Sequence, residues 1–198
     1  MIQDLRYAFR SLMKSPGFTA ATVVTLALGI GANSAIFSVV NAVLLKPLPF
    51  DRADRLVAVF ARDPQGQRNY VAQPDLDDWR AMARSFDGLA SYVGQSVNLT
   101  GLDQPQRVVG AFVSANLFPT LGVAPASGRA FLTGEDRAGA APVAILSDRL
   151  WHSRLGGDPA IIGKSVQFNG EPYTIVGILP SGFVFSPLDA DVYLPAFK

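Results

Sequence analysis

The stretch LALGIGANSAIFSVVNAVLL (residues 26–45) lies within the longest run of this chain that has no charged residue. The run covers residues 15–45, which is 31 residues, whereas the hydrocarbon core of a membrane requires about 20. A continuous helix of that length would reach about 46 Å. A cleaved signal peptide fits poorly, because its apolar segment is usually about 7–15 residues long. The sequence therefore predicts an uncleaved transmembrane helix over residues 16–46.

Small and polar residues lie close together on this predicted helix. A strip of small residues allows a second helix to approach closely, which is how helices associate inside a membrane. A lone alanine-rich anchor is the alternative, but asparagines without partners are costly in hydrocarbon. We therefore expect contacts with partner helices. The candidate packing residues are Ala27, Gly31, Asn33, Ser34, Ala35, Ser38 and Asn41.

The first 15 residues have the pattern of an amphipathic helix. Their apolar residues share one face, and Arg6, Arg10 and Lys14 form a stripe beside it. Such a helix lies in the lipid headgroup layer and places its cations near phosphates; a short solvated helix is the alternative. Positive residues also follow the span closely, beginning at Lys46, so charge alone says little about orientation.

The remainder of the chain, residues 50–198, has the pattern of a mixed α+β domain. The clearest signal is SVQFNGEPYTIVGIL (165–179), in which two alternating runs flank Asn169-Gly170 and predict a type I′ hairpin. Long helices and strands do not alternate regularly, which argues against a Rossmann-like sheet. Further strands are predicted at 55–61, 91–99, 107–115, 143–147 and 191–197, and helices at 74–86, 116–121 and 148–155.

Several classes of function receive no support from the sequence. There is no cysteine and only one histidine, so thiolate and multi-histidine metal sites are excluded. The formal net charge is +1, which does not indicate binding to nucleic acid. Asp75, Asp77 and Asp78 are typical of a helix start, and Asp148 with His152 is typical of a surface ion pair or cap.

The stretch GGDPAIIGKS (156–165) resembles a phosphate-binding loop but lacks its spacing. Four residues must separate the first glycine from Gly-Lys-Ser, and the required position 158 is aspartate. The stretch also leads into a hairpin strand rather than a helix, so we interpret it as a turn. We therefore expect no catalytic residue, no cofactor site and no metal site in this chain.

Four stretches together resemble a known family. They are DLRYAFRSLMKSPGFTAATVVTLALGIGANSAIFSVVNAVLLKPLPF, PDLDDWRAMARSFDGLASY, VSANLFPTLGVAPASGRAF and GGDPAIIGKSVQFNGEPYTIVGILPSGFVF. They are similar to bacterial ABC-type permeases of the MacB/FtsX class, particularly to the duplicated orphan permeases, and the resemblance covers essentially the whole chain. It implies a cytoplasmic amino terminus, one span and a MacB-like periplasmic core domain over residues 50–198 in the bacterial inner membrane.

The resemblance also implies partners. In this family, a cytoplasmic ATPase, fused or separate, binds ATP and passes motion through the permease helices to the periplasmic domain. We expect a permease subunit of the efflux or lipoprotein and peptide export class. Its expected partners are the lipid bilayer, further permease helices, an ABC ATPase subunit and periplasmic adaptor proteins. The core domain is expected to be incomplete at its carboxyl end. A membrane-anchored binding or interaction module that acts alone is the alternative function.

Overall fold

The computed structural model describes residue 10, residues 13–41, residue 50, and residues 52–101, 104–185 and 188–196. The chain divides into two compact units, Met1–Leu48 and Pro49–Lys198, and each is described here by itself.

The first unit contains one long helix, α1 (Pro16–Val40). Proline at its start is favourable, because the first amide groups of a helix have no partner within it. The 25 residues of α1 correspond to a length of about 38 Å, which exceeds the thickness of a bilayer core of about 30 Å. Among the described residues, α1 alone is long and apolar enough to cross a membrane.

Parts of the first unit lie outside the described residues. Residues 42–46, the last part of the expected span, are among them, and so is most of the expected interfacial helix, including Arg6. Arg10, Met13 and Lys14 are helical and exposed. The interfacial role of residues 1–15 therefore stays a prediction.

The second unit is a β-rich domain with short helices at its periphery. Its helices are α2 (Gln73–Met82), α3 (Leu117–Leu121) and α4 (Asp148–Leu155), and single 3₁₀ turns occur at Ala53–Arg55 and Pro159–Ile161. Its strands are β1 (Ala61–Arg62), β2 (Arg68–Asn69), β3 (Tyr92–Thr100), β4 (Gln106–Val113), β5 (Ser127–Gly128), β6 (Val143–Leu146), β7 (Ser165–Phe168), β8 (Glu171–Ile178) and β9 (Val192–Pro195).

Seven strands form one mixed sheet in the order β5-β8-β6-β9-β4-β3-β7, and β7 also pairs with β8. This additional pairing closes six of the strands into a ring, while β5 lies against the second half of β8. The pairs β4–β9 and β6–β8 are parallel, and the other pairs of this sheet are antiparallel. The expected mixed α+β architecture is confirmed.

Two apolar clusters fill the two faces of this sheet. All four residues of β6 and all four of β9 are buried, which identifies these strands as the centre of the domain. One cluster contains Leu146, Phe168 and Ile175 and is covered by α4 through Leu150. The other contains Phe118 of α3, whose ring centroid lies 5.3 Å from that of Tyr193 in a T-shaped arrangement.

Local signals determine the best-predicted elements. Asn169 and Gly170 have positive φ values of 53° and 82°, as the predicted type I′ hairpin requires. The Asn169 side-chain oxygen accepts a hydrogen bond from the backbone amide of Asn98 at 2.8 Å, which links the turn to β3. Helix α4 has the predicted bounds, and the Ser147 hydroxyl caps it by accepting from the Leu150 amide at 3.1 Å.

Two predicted elements are wrong in extent. Of the predicted strand at 55–61, only its last residue, Ala61, pairs with another strand, in a small antiparallel hairpin with β2. Residues 56–60 lack a partner strand among the described residues, and β-propensity alone does not form a ladder. The helix predicted at 74–86 ends at Met82, because Ala83 takes an extended conformation with ψ of 124°. Within the observed helix only Leu76 is buried.

Candidate functional site

Helix α1 exposes apolar side chains on all its sides. Within residues 16–41 only Thr19 and Val40 are half-buried, and all the others are exposed. Leu26 is 58% exposed and Leu28 is 68% exposed, although these two residues lie about 160° apart around the helix. A surface of this kind is unfavourable in water and favourable in lipid or against other apolar helices.

Six of the seven candidate packing residues lie on α1, and the seventh, Asn41, directly follows its last residue. At about 100° per residue, Ala27, Gly31, Ser34 and Ser38 fall within about 60° of one another. A Cβ atom added at Gly31 would meet no other atom within 4 Å. The described chain therefore leaves this strip open to a neighbouring helix.

The polar groups of α1 differ in their hydrogen bonds. The Ser38 hydroxyl donates to the Ser34 carbonyl oxygen at 2.8 Å, and the Thr25 hydroxyl donates to the Ala21 carbonyl oxygen at 2.9 Å. These two hydroxyl donors need no partner outside the helix. The carboxamide of Asn33 makes no hydrogen bond within the described part of the chain.

Asn33 also lies about 100° around the helix from Ser34, which places it outside the strip of small residues. A partner helix packed on that strip is therefore poorly placed to reach the Asn33 carboxamide. If one neighbouring helix packs on the strip and another group bonds to the Asn33 carboxamide, α1 has neighbours on more than one side.

The stretch GGDPAIIGKS forms two consecutive turns in the second unit. Gly156 ends α4 in the left-handed conformation, and the Asp158 carboxylate accepts from the Ala160 amide at 2.8 Å at the start of the 3₁₀ turn. The Lys164 ammonium group is 2.8 Å from the second Asp158 oxygen. These hydrogen bonds from Lys164 and Ala160 lower the pKa of Asp158. The stretch therefore forms turns between α4 and β7, as the sequence indicated.

The other candidate carboxylates make local contacts. Asp77 accepts hydrogen bonds from Gln73 at 3.0 Å and from Arg80 at 3.2 Å, both on its own helix. The Asp148 carboxylate lies 3.2 Å from Nδ1 of His152, which makes an ion pair when the imidazole is protonated. Among the described residues no group of three acidic or histidine side chains is arranged to hold a metal ion.

A half-buried ion pair stabilises the loop between β5 and β6. Arg129 forms a bidentate contact with Glu135 at 2.9 and 2.7 Å, and Glu135 also accepts from the Leu132 amide at 2.7 Å. Burial acts to raise the pKa of Glu135, but the hydrogen bonds from Arg129 and Leu132 and the charge of Arg129 outweigh it, so the pKa is lowered. For Tyr193 in the core, burial is the largest effect and raises the pKa, which keeps this phenol neutral.

A second ionic cluster joins α4, β4 and β9 and was not predicted from the sequence. The Arg149 guanidinium contacts Asp189 at 2.7 Å and Asp191 at 2.8 Å. The other Asp191 oxygen accepts from the Val109 amide at 2.9 Å. No spacing in the sequence identifies this cluster, because its members lie about 40 and 80 residues apart.

Comparisons with known proteins agree with this fold. The family model described as "MacB-like periplasmic core domain" matches residues 19–198. No curated protein matches the sequence. Among solved structures, the extracellular domain of the noncanonic ABC-type transporter YknZ from Gram-positive bacteria is similar, with a TM-score of 0.53 and 15% identity over 64% of this chain and 63% of that one.

The periplasmic region of MacB from Actinobacillus actinomycetemcomitans is also similar, with a TM-score of 0.52 and 15% identity over 73% of this chain. The match covers 58% of the MacB chain, so the present chain spans about three fifths of the length of these relatives. At this identity the likeness shows a common fold. Because the family model covers nearly the whole sequence, the chain belongs to the MacB-like periplasmic core domain family of MacB/FtsX-type ABC transporter permeases.

Proposed function

We propose that this chain acts as the amino-terminal part of an ABC permease subunit of the efflux or lipoprotein and peptide export class. In this proposal a separate ABC ATPase binds ATP in the cytoplasm, and its motion passes through α1 and further permease helices to the second unit in the periplasm. The observation that carries the proposal is the open strip of small residues on α1 in a chain of this family.

The proposed route of coupling begins with α1. The strip containing Ala27, Gly31 and Ser34 allows close backbone contact with a partner helix, so that a shift of the partner also displaces α1. The positive residues Arg10 and Lys14 would then lie on the cytoplasmic side, at the headgroups. Periplasmic adaptor proteins are further candidate partners of the second unit.

Leucine substitutions on α1 test the packing part of this proposal. Replacing Gly31 and Ser34 together fills the strip with two bulky side chains, and we expect loss of the complex with other permease helices in native membranes. Ala27→Leu and Ala32→Leu are a matched pair, because the same change falls on sides of α1 about 140° apart. The first should weaken the complex, and the second should leave it intact.

The measurement is co-purification of the tagged full chain with permease and ATPase subunits, with membrane insertion checked by carbonate extraction. If the double variant retains its partners, the strip is not the contact surface. If the wild-type chain also has no partners, the result favours the alternative function, in which α1 only tethers an interaction module.

Orientation is tested separately by cysteine labelling. The chain has no cysteine, so a single one introduced at the exposed Leu132 is the only target for a maleimide that cannot cross the membrane. We expect labelling when only the outer face of the inner membrane is accessible. Labelling that requires lysis of the inner membrane would contradict a periplasmic second unit.

A further inference from the structure

A groove of about 420 Å³ lies where β4 begins, along α4 and beside the start of β9. This volume is within the range of about 300–1,000 Å³ that is common for small-ligand sites. The polar side chains of its wall are Gln106, Arg107, Arg149, Ser153, Arg154 and Asp191. The groove therefore combines three arginines with one carboxylate.

The hydrogen bonds around the groove leave two of these arginines available. Asp191 uses one oxygen for the Val109 amide and the other for Arg149. Arg149 is held further by Asp189. Arg107 and Arg154 are exposed, and neither makes an ion pair within the described part of the chain. Two guanidinium groups thus line the groove without a counter-ion from the described residues.

A third group in the wall also lacks a partner. The side-chain oxygen of Gln106 is buried, and it accepts no hydrogen bond from the described residues. A buried acceptor without a donor is unfavourable. Gln106 as a whole is only half-buried, so rotation of its carboxamide toward the groove would bring this oxygen within reach of a ligand. A ligand that brings both a negative charge and a hydrogen-bond donor would then satisfy the arginines and Gln106 together.

We propose that this groove binds a phosphate group that carries or adjoins a hydroxyl, as hydrogen phosphate and hydroxylated phosphate headgroups do. The planar guanidinium groups of Arg107 and Arg154 suit the oxygens of a phosphate, and the hydroxyl donates to the Gln106 oxygen once the carboxamide has turned toward the groove. A carboxylate is a poorer ligand, because it offers acceptors only. The site is independent of the membrane-helix contacts described above.

Isothermal titration of the full chain in a neutral detergent tests this proposal, with inorganic phosphate as the probe and acetate at equal ionic strength as the comparison. We expect saturable binding of phosphate and weaker binding of acetate. Arg107→Gln and Arg154→Gln should each weaken phosphate binding at least about tenfold, because each removes hydrogen bonds to a charged group. Gln106→Met, which keeps the shape but removes the acceptor, should also weaken it.

Arg84→Gln is the matched control, since Arg84 is another exposed arginine without an ion pair among the described residues and lies outside the groove wall. It should leave phosphate binding unchanged. Thermal melting of each variant shows that it is folded. The proposal is overturned if phosphate does not bind saturably, if acetate binds equally well, or if the Arg84 variant loses as much affinity as the groove variants.

A second arm of the experiment identifies the source of the phosphate group. Vesicles of phosphatidylcholine with phosphatidylglycerol, whose headgroup carries hydroxyls, are mixed with the full chain in nanodiscs of phosphatidylcholine alone. Vesicle capture that depends on Arg107 and Arg154 and is competed by free phosphate supports a lipid headgroup. Binding of free phosphate without vesicle capture supports the same site with a soluble ligand.

Discussion

Replacing Asp191 by alanine is expected to destabilise the second unit substantially, although the residue lies at the surface end of β9. Its side chain is 16% exposed and joins three elements through Arg149 and the Val109 amide. Loss of the charged hydrogen bond to Val109 is worth about 1.5–3 kcal/mol, and loss of the half-exposed contact with Arg149 adds about 0–1 kcal/mol. The expected total is about 1.5–4 kcal/mol.

Asp189→Ala is the matched control, because Asp189 contacts the same Arg149 guanidinium at 2.7 Å but is 60% exposed. It should cost no more than about 1 kcal/mol. For a domain of this size, about 1.5–4 kcal/mol corresponds to a fall in Tm of about 3–16 °C.

Both tryptophans, Trp79 and Trp151, lie in the second unit. Fluorescence of the full chain in detergent during thermal or urea unfolding therefore reports on that unit. Equal destabilisation by the two alanine variants would refute the reasoning, because it would show that the bond to Val109 contributes nothing beyond the surface ion pair. An Asp191 variant as stable as the wild type would refute it as well.

Three further predictions concern the same unit. The folded-state pKa of Glu135 lies below its unfolded value. Its contribution to stability is therefore complete above about pH 4.3 and is lost as the pH falls through the folded-state pKa. In acid titrations followed by fluorescence, Glu135→Gln should flatten the decline of stability below about pH 4.3. Leu146→Ala removes a fully buried side chain and should cost about 2–5 kcal/mol in urea unfolding, whereas Leu132→Ala at an exposed site should cost less than about 0.5 kcal/mol. Gly170→Ala, at a φ of 82°, should cost about 1–2 kcal/mol, and an unchanged midpoint would argue against the type I′ turn.

Secondary structure was predictable from the sequence where neighbouring residues determine it. The hairpin at Asn169-Gly170 and the bounds of helix α4 are examples, because a turn and a short helix depend on a few adjacent residues. The prediction for residues 55–61 failed because a strand exists only with a partner, and sequence reasoning could not locate one.

Long-range arrangements were beyond prediction from a single sequence. The closure of the sheet through β7 and β8, and the parallel contact of β4 with β9, depend on contacts between distant segments. The groove is assembled in the same way from residues near 106, 150 and 191, and no spacing connects them. The long apolar helix α1 was predictable because its length and its lack of charge are visible in the sequence.

The proposed role as a permease subunit is tested by purifying the intact chain from its native membranes and assaying for an associated ABC ATPase. We expect an ATPase and further permease helices to accompany the wild-type chain and to be lost when Gly31 and Ser34 are replaced by leucine. Recovery of a membrane-inserted chain without permease helices or ATPase would contradict it.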